Sequence, residues 1–127
     1  MMPGVRPAYA LLVVALSLCG CAGAPISADV PKVVRGHPLP PFELHEECMR
    51  LEPGDRLEYA FESSEPVDFN FHYHEGKVIV MPLVREKSRA EAGVYAPQIA
   101  QDYCAMWEAG PAGALLDYRV RLRRAGS

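Results

Sequence analysis

Two histidines at alternate positions form the clearest metal-ligating pattern in this sequence. His72 and His74 stand in the run FNFHYHEG. In a β-strand such residues share one face and lie about 6.6 Å apart along the chain, so their imidazoles can bind one Zn²⁺ or Cu²⁺ ion. A third ligand is needed, and Asp68, Glu75 or His45 could supply it. A periplasmic zinc- or copper-binding role is therefore one prediction. A solvated strand face, or a polar contact surface for a partner, is the alternative.

Sequence patterns that carry catalysis are missing. There is no G-x-S-x-G, no H-E-x-x-H and no glycine-rich phosphate loop. Ser63 and Ser64 have no histidine near them in the sequence. The net charge of −3 also argues against nucleic-acid binding, which depends on a basic surface. We therefore expect a domain with a non-enzymatic binding or structural role.

Three arginines near the C-terminus share one face of a predicted strand. Arg119, Arg121 and Arg123 alternate with apolar residues. They could attract an anionic lipid headgroup or a polyanionic partner. The sequence favours a structural role, because Glu58 and Glu62 project from another predicted strand and opposite charges often pair across strands.

The N-terminus has the features of a secretory signal peptide. Arg6 precedes the uncharged stretch 8–18, which is too short to span a bilayer, since spanning takes about 20 apolar residues. The tetrapeptide LCGC at 18–21 resembles the lipobox of bacterial lipoproteins. The resemblance implies that residues 1–20 are removed and that Cys21 is acylated.

The residue after the lipidated cysteine indicates where the protein would be sorted. Ala22 resembles the sorting residue of outer-membrane lipoproteins, so we expect a lipid-anchored protein that faces the periplasm. The alternative is ordinary cleavage after the A-x-A-like tripeptide AGA at 22–24, which would release a soluble periplasmic or secreted protein. Either product would meet its partners, an unknown envelope protein or ligand, outside the cytoplasm.

Export also determines the state of the remaining cysteines. Cysteines pair in oxidising compartments, and Cys48 and Cys104 are present in both predicted products. Neither belongs to a C-x-x-C motif or has a directly adjacent Lys or Arg that would stabilise a thiolate. We expect them to form a structural disulfide.

Polar and apolar residues alternate over most of 42–124, the predicted domain. Alternation with a period of two is typical of antiparallel strands that have one buried and one solvated face. Short turn signals such as Pro53-Gly54-Asp55 and Glu75-Gly76 separate these runs. The pattern predicts an all-β fold, a small antiparallel β-sandwich. The predicted strands lie near 42–48, 56–62, 67–74, 77–83 and 116–123.

Some segments carry a more specific prediction. The strand near 42–48 is expected to bury Phe42, Leu44 and Cys48 and to turn Glu43, His45 and Glu47 outward. Residues 84–92 are polar and are predicted as a loop or short helix. Residues 96–108 fit either a helix or a strand, and periodicity does not decide between them.

A proline-rich segment precedes the domain. Residues 21–41 contain five prolines and few large apolar residues, which predicts an extended tether. The alternative is that part of the segment lies along the domain as an edge strand, with Val33 and Val34 in contact.

Several motifs together resemble the GOLD domain, the lumenal β-sandwich of eukaryotic Golgi cargo receptors. They are Cys48 before a strand, LEPGDRLEY at 51–59, PVDFNF at 66–71 and YCAMW at 103–107. The resemblance implies that 100–108 is a strand and that Cys48 bonds to Cys104. Glu108 replaces an Asn of the receptors. What carries over is the sandwich and a generic binding role.

Overall fold

A computed structural model describes residues 24–127 as an all-β domain. Every pairing between its strands is antiparallel, and no helix occurs among the described residues. None of them therefore forms a helix that could cross a membrane. The strands are β1 (Lys32–Leu39), β2 (Leu44–Leu51), β3 (Arg56–Glu75), β4 (Val78–Tyr95), β5 (Gln101–Ala109) and β6 (Ala114–Arg123).

The long hairpin of β3 and β4 organises the sheet. Along one edge β3 pairs first with β6, over 56–63, and then with β5, over 67–72. Along its other edge β3 pairs with β4, and the register shifts between Glu62 and Val67. The strand order is β1-β6-β3-β5-β2, with β4 also beside β3. The two halves of β3 therefore belong to different parts of one continuous sheet.

Aromatic contacts show that the sheet folds back on itself at this register shift. The rings of Phe61 and Phe69 lie 4.9 Å apart, and those of Tyr59 and Phe71 lie 5.1 Å apart. The first half of β3 thus runs to a bend, which we call the corner, and the second half returns against it. The opposite end, which holds both Arg56 and Glu75, is called the open end.

Two layers result, as the alternating pattern predicts for a small sandwich. The first layer contains β2, β5 and the second half of β3; the second contains β1, β6 and the first half of β3. Inward-facing side chains from both layers are fully buried. Trp107, Phe69, Phe71, Tyr103, Leu57, Leu116 and Val120 are among them.

Strand β1 occupies sequence that was predicted as tether. Residues 32–39 pair with β6, and Val33 and Val34 lie opposite Arg119 and Tyr118. This is the edge-strand alternative, and it places the start of the sheet ten residues before the predicted domain boundary at 42. Proline lacks an amide donor but is tolerated in an edge strand, which is where Pro38 lies. Cys21 and the predicted signal peptide lie outside the described residues.

Two further segments form strands, one that was predicted as a loop or short helix and one for which helix and strand were left open. Residues 84–92 were predicted as a loop or short helix, but they belong to β4. Their polar side chains are compatible with a strand because β4 lies at the edge of the sheet, where both faces meet solvent. Residues 101–109 form β5, the strand that the GOLD resemblance implies, with Tyr103, Ala105 and Trp107 inward.

The facing of β2 is the reverse of the prediction. Leu44 and Cys48 are exposed, whereas Glu47 is buried and His45 is half-buried. The prediction of alternating faces is correct, but Leu44 and Cys48 lie on the outer face and His45 and Glu47 lie on the inner face. The buried polar side chains of β2 find partners on β1 and β6, which the local sequence does not reveal.

The predicted disulfide joins neighbouring strands. Cys48 of β2 lies directly opposite Cys104 of β5, and the two sulfurs are bonded. The bond lies on the outer face of the first layer and closes a loop with a sequence separation of 56 residues that contains the entire β3–β4 hairpin.

Removing this disulfide should lower stability substantially. In the chain-entropy model a loop of this length contributes about 4 kcal/mol by restricting the unfolded chain. We expect the double variant Cys48→Ser/Cys104→Ser to lose about that free energy of unfolding in urea titrations, with the native fold retained in circular dichroism. A double variant as stable as the oxidised wild type would contradict the expectation.

Candidate functional site

His72 of the predicted metal site is held by two polar neighbours. It is buried, its Nδ1 lies 2.8 Å from Asn70 Oδ1 on the same strand, and its Nε2 lies 3.4 Å from Glu46 Oε1 on β2. Because Asn70 Oδ1 can only accept a hydrogen bond, Nδ1 carries the proton. The Glu46 carboxylate beside Nε2 is also an acceptor, so it becomes a hydrogen-bond partner of His72 only when the ring is protonated.

The other predicted ligands are not brought together with His72. The ring of His74 lies 5.4 Å from that of His72 but is exposed. Asp68 accepts a hydrogen bond from the amide of Lys87, and Glu75 is exposed at the end of β3. His45 projects to the inner face of the first layer, opposite to the face of Glu46 and His72.

In the described part of the chain, neither His72 nor His74 belongs to a set of three metal-ligating side chains whose ligand atoms all lie within 4.8 Å of one another. Within residues 24–127, the only set of three metal-ligating side chains with atoms within 4.8 Å of one another is Glu46, Cys48 and Cys104. The two sulfurs of that set are bonded to each other, so they are not thiolate ligands. Zinc or copper binding by His72 and His74 stays a prediction that this arrangement does not favour.

A different polar cluster lies inside the sandwich, between the edge strands β1 and β2. Tyr118 of β6 donates a hydrogen bond to Glu47, and the Tyr118 hydroxyl oxygen lies 2.9 Å from Nε2 of His45. The Nζ atom of Lys32 on β1 lies 2.6 Å from Glu47 Oε1. We call these four residues the seam cluster. They join β1 to β2, which share no backbone ladder.

Hydrogen-bond accounting determines the protonation of the seam cluster. Tyr118 has one proton and gives it to the Glu47 carboxylate, so its oxygen accepts from His45 and Nε2 of His45 is protonated. The ring of His37 on β1 lies 4.2 Å from that of His45. His37 therefore has a contact inside the fold although its position was predicted to belong to the tether.

Burial shifts the acidity of the cluster. It lowers the pKa of His45 below the usual 6.5, with a further lowering from His37 and an opposing effect of Glu47. Burial and the bond to Glu47 raise the pKa of Tyr118. His45 is thus neutral and Tyr118 protonated near neutral pH, as a structural hydrogen-bond network requires.

Only some of the three arginines on the outer face of β6, Arg119, Arg121 and Arg123, pair with carboxylates. Nε of Arg123 lies 3.4 Å from Glu58, and Nη1 of Arg123 lies 3.7 Å from Asp29, which bears out pairing across strands at this position. Glu62 lies opposite Asp117 instead of an arginine. Among residues 24–127, no carboxylate is within 4.0 Å of the Arg119 guanidinium.

A groove of about 720 Å³ crosses the outer face of the second layer, beside Arg119. One cross-strand row of the groove contains Val33, Arg119, Ala60 and Ala92, from β1, β6, β3 and β4 in that order. Ala90 lies in the next row, opposite Glu62. The three alanines lower the floor because their side chains are short, and half-exposed Val33 adds an apolar wall.

Charged side chains of both signs surround this alanine floor. Arg35 and Arg119 line the groove together with Glu62 and Asp117. Arg35 is largely exposed and lies 3.9 Å from Asp117, whose carboxylate also accepts a hydrogen bond from the Gly36 amide, so the ion pair is weak. Sequence reasoning identified Arg119 and Glu62 but missed the groove. Its signal, small residues at alternate positions in 90–92, lies in a segment that was interpreted as a loop or short helix.

Removing the Tyr118 hydroxyl should destabilise the domain. Tyr118→Phe leaves Glu47 and His45 buried without their shared partner, which costs about 1–3 kcal/mol. We expect a corresponding drop in the free energy of unfolding in urea. Tyr73→Phe, whose hydroxyl donates to no described residue, is the matched control and should stay close to wild type. Equal stability of both variants would contradict the role of the seam cluster.

The lowered histidine pKa values predict a loss of stability in mild acid. His45 and His72 are both shifted downward by burial, so the unfolded chain takes up protons first as the pH falls through 6.5. The free energy of unfolding should therefore decrease between about pH 8 and about pH 5. His45→Gln should flatten this dependence, because it removes one of the two shifted groups. A wild-type slope retained in His45→Gln and in a His72→Gln variant would overturn the assignment.

Comparison with known proteins leaves the family of this chain open. The chain matches no protein-family model and no curated protein. The strand at 101–109 and the Cys48–Cys104 bond agree with what the GOLD resemblance implies for the fold. Membership of that family stays a prediction.

Proposed function

We propose that this protein is a lipid-anchored domain of the bacterial cell envelope that binds an extended segment of another envelope protein and performs no chemical reaction on it. The observation that carries the binding role is the alanine-floored groove. The disulfide is consistent with an exported protein, since such bonds persist mainly in oxidising compartments. The anchor is the acylated Cys21 of the sequence-based prediction.

The shape of the groove favours a polypeptide as its occupant. It is open and runs across four strands, so it can hold an extended segment better than it can enclose a small molecule. The floor of Ala60, Ala90 and Ala92 would contact short apolar side chains. A surrounding rim with both signs of charge is typical of protein interfaces, in which polar contacts ring an apolar centre.

Charge indicates the chemistry expected next to the floor. Arg119 has no ion pair within the described part of the chain, and its guanidinium can bind a carboxylate in two-point geometry. Glu62 and Asp117 on the same rim would favour a basic residue a few positions along the segment. The proposed ligand is therefore an extended segment with a small apolar centre between an acidic and a basic residue.

Site-specific crosslinking in intact cells tests the proposal. A photoreactive residue in place of Val33 should give one discrete crosslinked product, and the same residue in place of Leu115, outside the groove, should not. Ala92→Arg fills the floor and should abolish the product. Ala112→Arg, an equally drastic change at an exposed turn, is the control and should retain it.

Each result of the crosslinking experiment has a defined reading. A product that survives Ala92→Arg, or that forms equally from position 115, would overturn the groove as the binding site. Arg119→Gln should weaken the product without lowering the free energy of unfolding. Urea titration of each variant separates a lost contact from a lost fold.

The anchor is tested separately, by mass spectrometry of the mature N-terminus. An acylated Cys21 at position one supports a lipoprotein. An unmodified start at Pro25 would replace this proposal with a soluble exported protein and would leave the groove experiment valid.

A further inference from the structure

At its tip the β3–β4 hairpin is no longer paired with the rest of the first layer. The pairing of β3 with β5 ends at His72 and Cys104, whereas β3 continues to Glu75. Beyond His72, β3 pairs only with β4, through Tyr73, His74 and Glu75. We call residues 73–81, including the turn at Gly76 and Lys77, the hairpin tip.

The hairpin tip exposes large apolar side chains on both of its faces. Val78 is 60% exposed, Ile79 is 51% exposed and Met81 is 45% exposed. Val78 and Ile79 are consecutive strand residues, so they project to opposite faces. A groove on a partner protein would cover one face and leave the other in water. A lipid bilayer would cover both.

Further exposed apolar residues lie at the same end of the sandwich. Tyr103 donates a hydrogen bond to the carbonyl of Ile99 and its ring lies 5.2 Å from that of Tyr73, which places exposed Ile99 beside the hairpin tip. Exposed Val30 follows Ala28, which bridges to Leu122 at the open end.

The segment that leads to the predicted anchor also leaves from the open end. Ala28 pairs with Leu122, and Leu122 lies opposite Leu57 at the start of β3. Tyr95, opposite Leu57 on the other side, places its ring 4.7 Å from Phe71, close to the hairpin tip. Only a few residues separate Ala28 from Cys21. An acyl chain on Cys21 would therefore hold the open end, and with it the hairpin tip, near the membrane surface.

We propose that the hairpin tip inserts Val78, Ile79 and Met81 into the interfacial region of the lipid bilayer. The proposal rests on the lipid anchor of the proposed function. Apolar side chains at a bilayer surface enter the headgroup and acyl boundary to about 5–10 Å, a depth that exposed side chains at the end of a hairpin can reach. The tip then fixes the orientation of the domain, and the corner points away from the membrane.

Charges at the hairpin tip indicate how insertion depends on lipid. Glu75 and Lys77 flank the turn and their charges cancel, and His74 is the further titratable group. The hairpin tip itself therefore contributes apolar burial and no net charge to binding.

Quenching of tryptophan fluorescence by brominated lipid tests the insertion. The chain has one tryptophan, Trp107, which is fully buried and provides a shielded background. The full mature protein carrying Ile79→Trp is placed in vesicles of phosphatidylethanolamine and phosphatidylglycerol that contain brominated lipid. Leu115→Trp, similarly exposed near the corner, is the matched control.

Insertion predicts several-fold stronger quenching of the tryptophan at position 79 than of that at position 115. Equal quenching at the two positions, or none at position 79, would overturn the proposal. A blue-shifted, concentration-dependent emission from position 79 without vesicles would also overturn it, because a second copy of the chain would then cover the tip. Failure of the anchor is distinguishable, since it appears in the mass of the N-terminus and not in the quenching.

Discussion

The fold depends on the packing of β3 against itself. Phe61 and Tyr59 in its first half contact Phe69 and Phe71 in its second half, and this aromatic burial holds the bend at the corner. Fully buried aromatic side chains contribute on the order of 2–3 kcal/mol each, so a strand of this length bends to make such contacts instead of extending into water. Because β4 follows β3 through the bend, a single hairpin contributes strands to both layers.

That bend has two consequences for function. It turns the outer face of the second layer away from the core, so that small side chains there leave a groove instead of being filled from the other layer. It also returns the hairpin tip to the end at which the N-terminal segment joins the sheet. Partner binding and membrane contact are therefore proposed for different surfaces that the same hairpin positions.

The edge strands β1 and β2 are joined in another way. No backbone ladder links them, and the buried seam cluster joins them through Lys32, Glu47, Tyr118 and His45. Buried polar groups are costly unless paired, and the nearly complete pairing here explains why β2 tolerates a carboxylate on its inner face. Outside the cluster, two buried side-chain nitrogens, Trp107 Nε1 and Arg121 Nε, have no hydrogen-bond partner among the described residues.

The sequence by itself determined the features that depend on local pattern and chemistry. Alternation predicted most strands and the inward faces of β3 and β6, and the cysteine count in a chain expected to be exported predicted the disulfide. It did not determine the facing of β2, the strand identity of 32–39 and 84–92, or the neighbours of His45 and His72. Those depend on which distant strands become adjacent, because a buried Glu47 needs Lys32 and Tyr118, and a groove needs alanines from separate strands in register. Only the tertiary structure brings these residues together, because they are far apart in the sequence and a local pattern does not show which distant strands become neighbours.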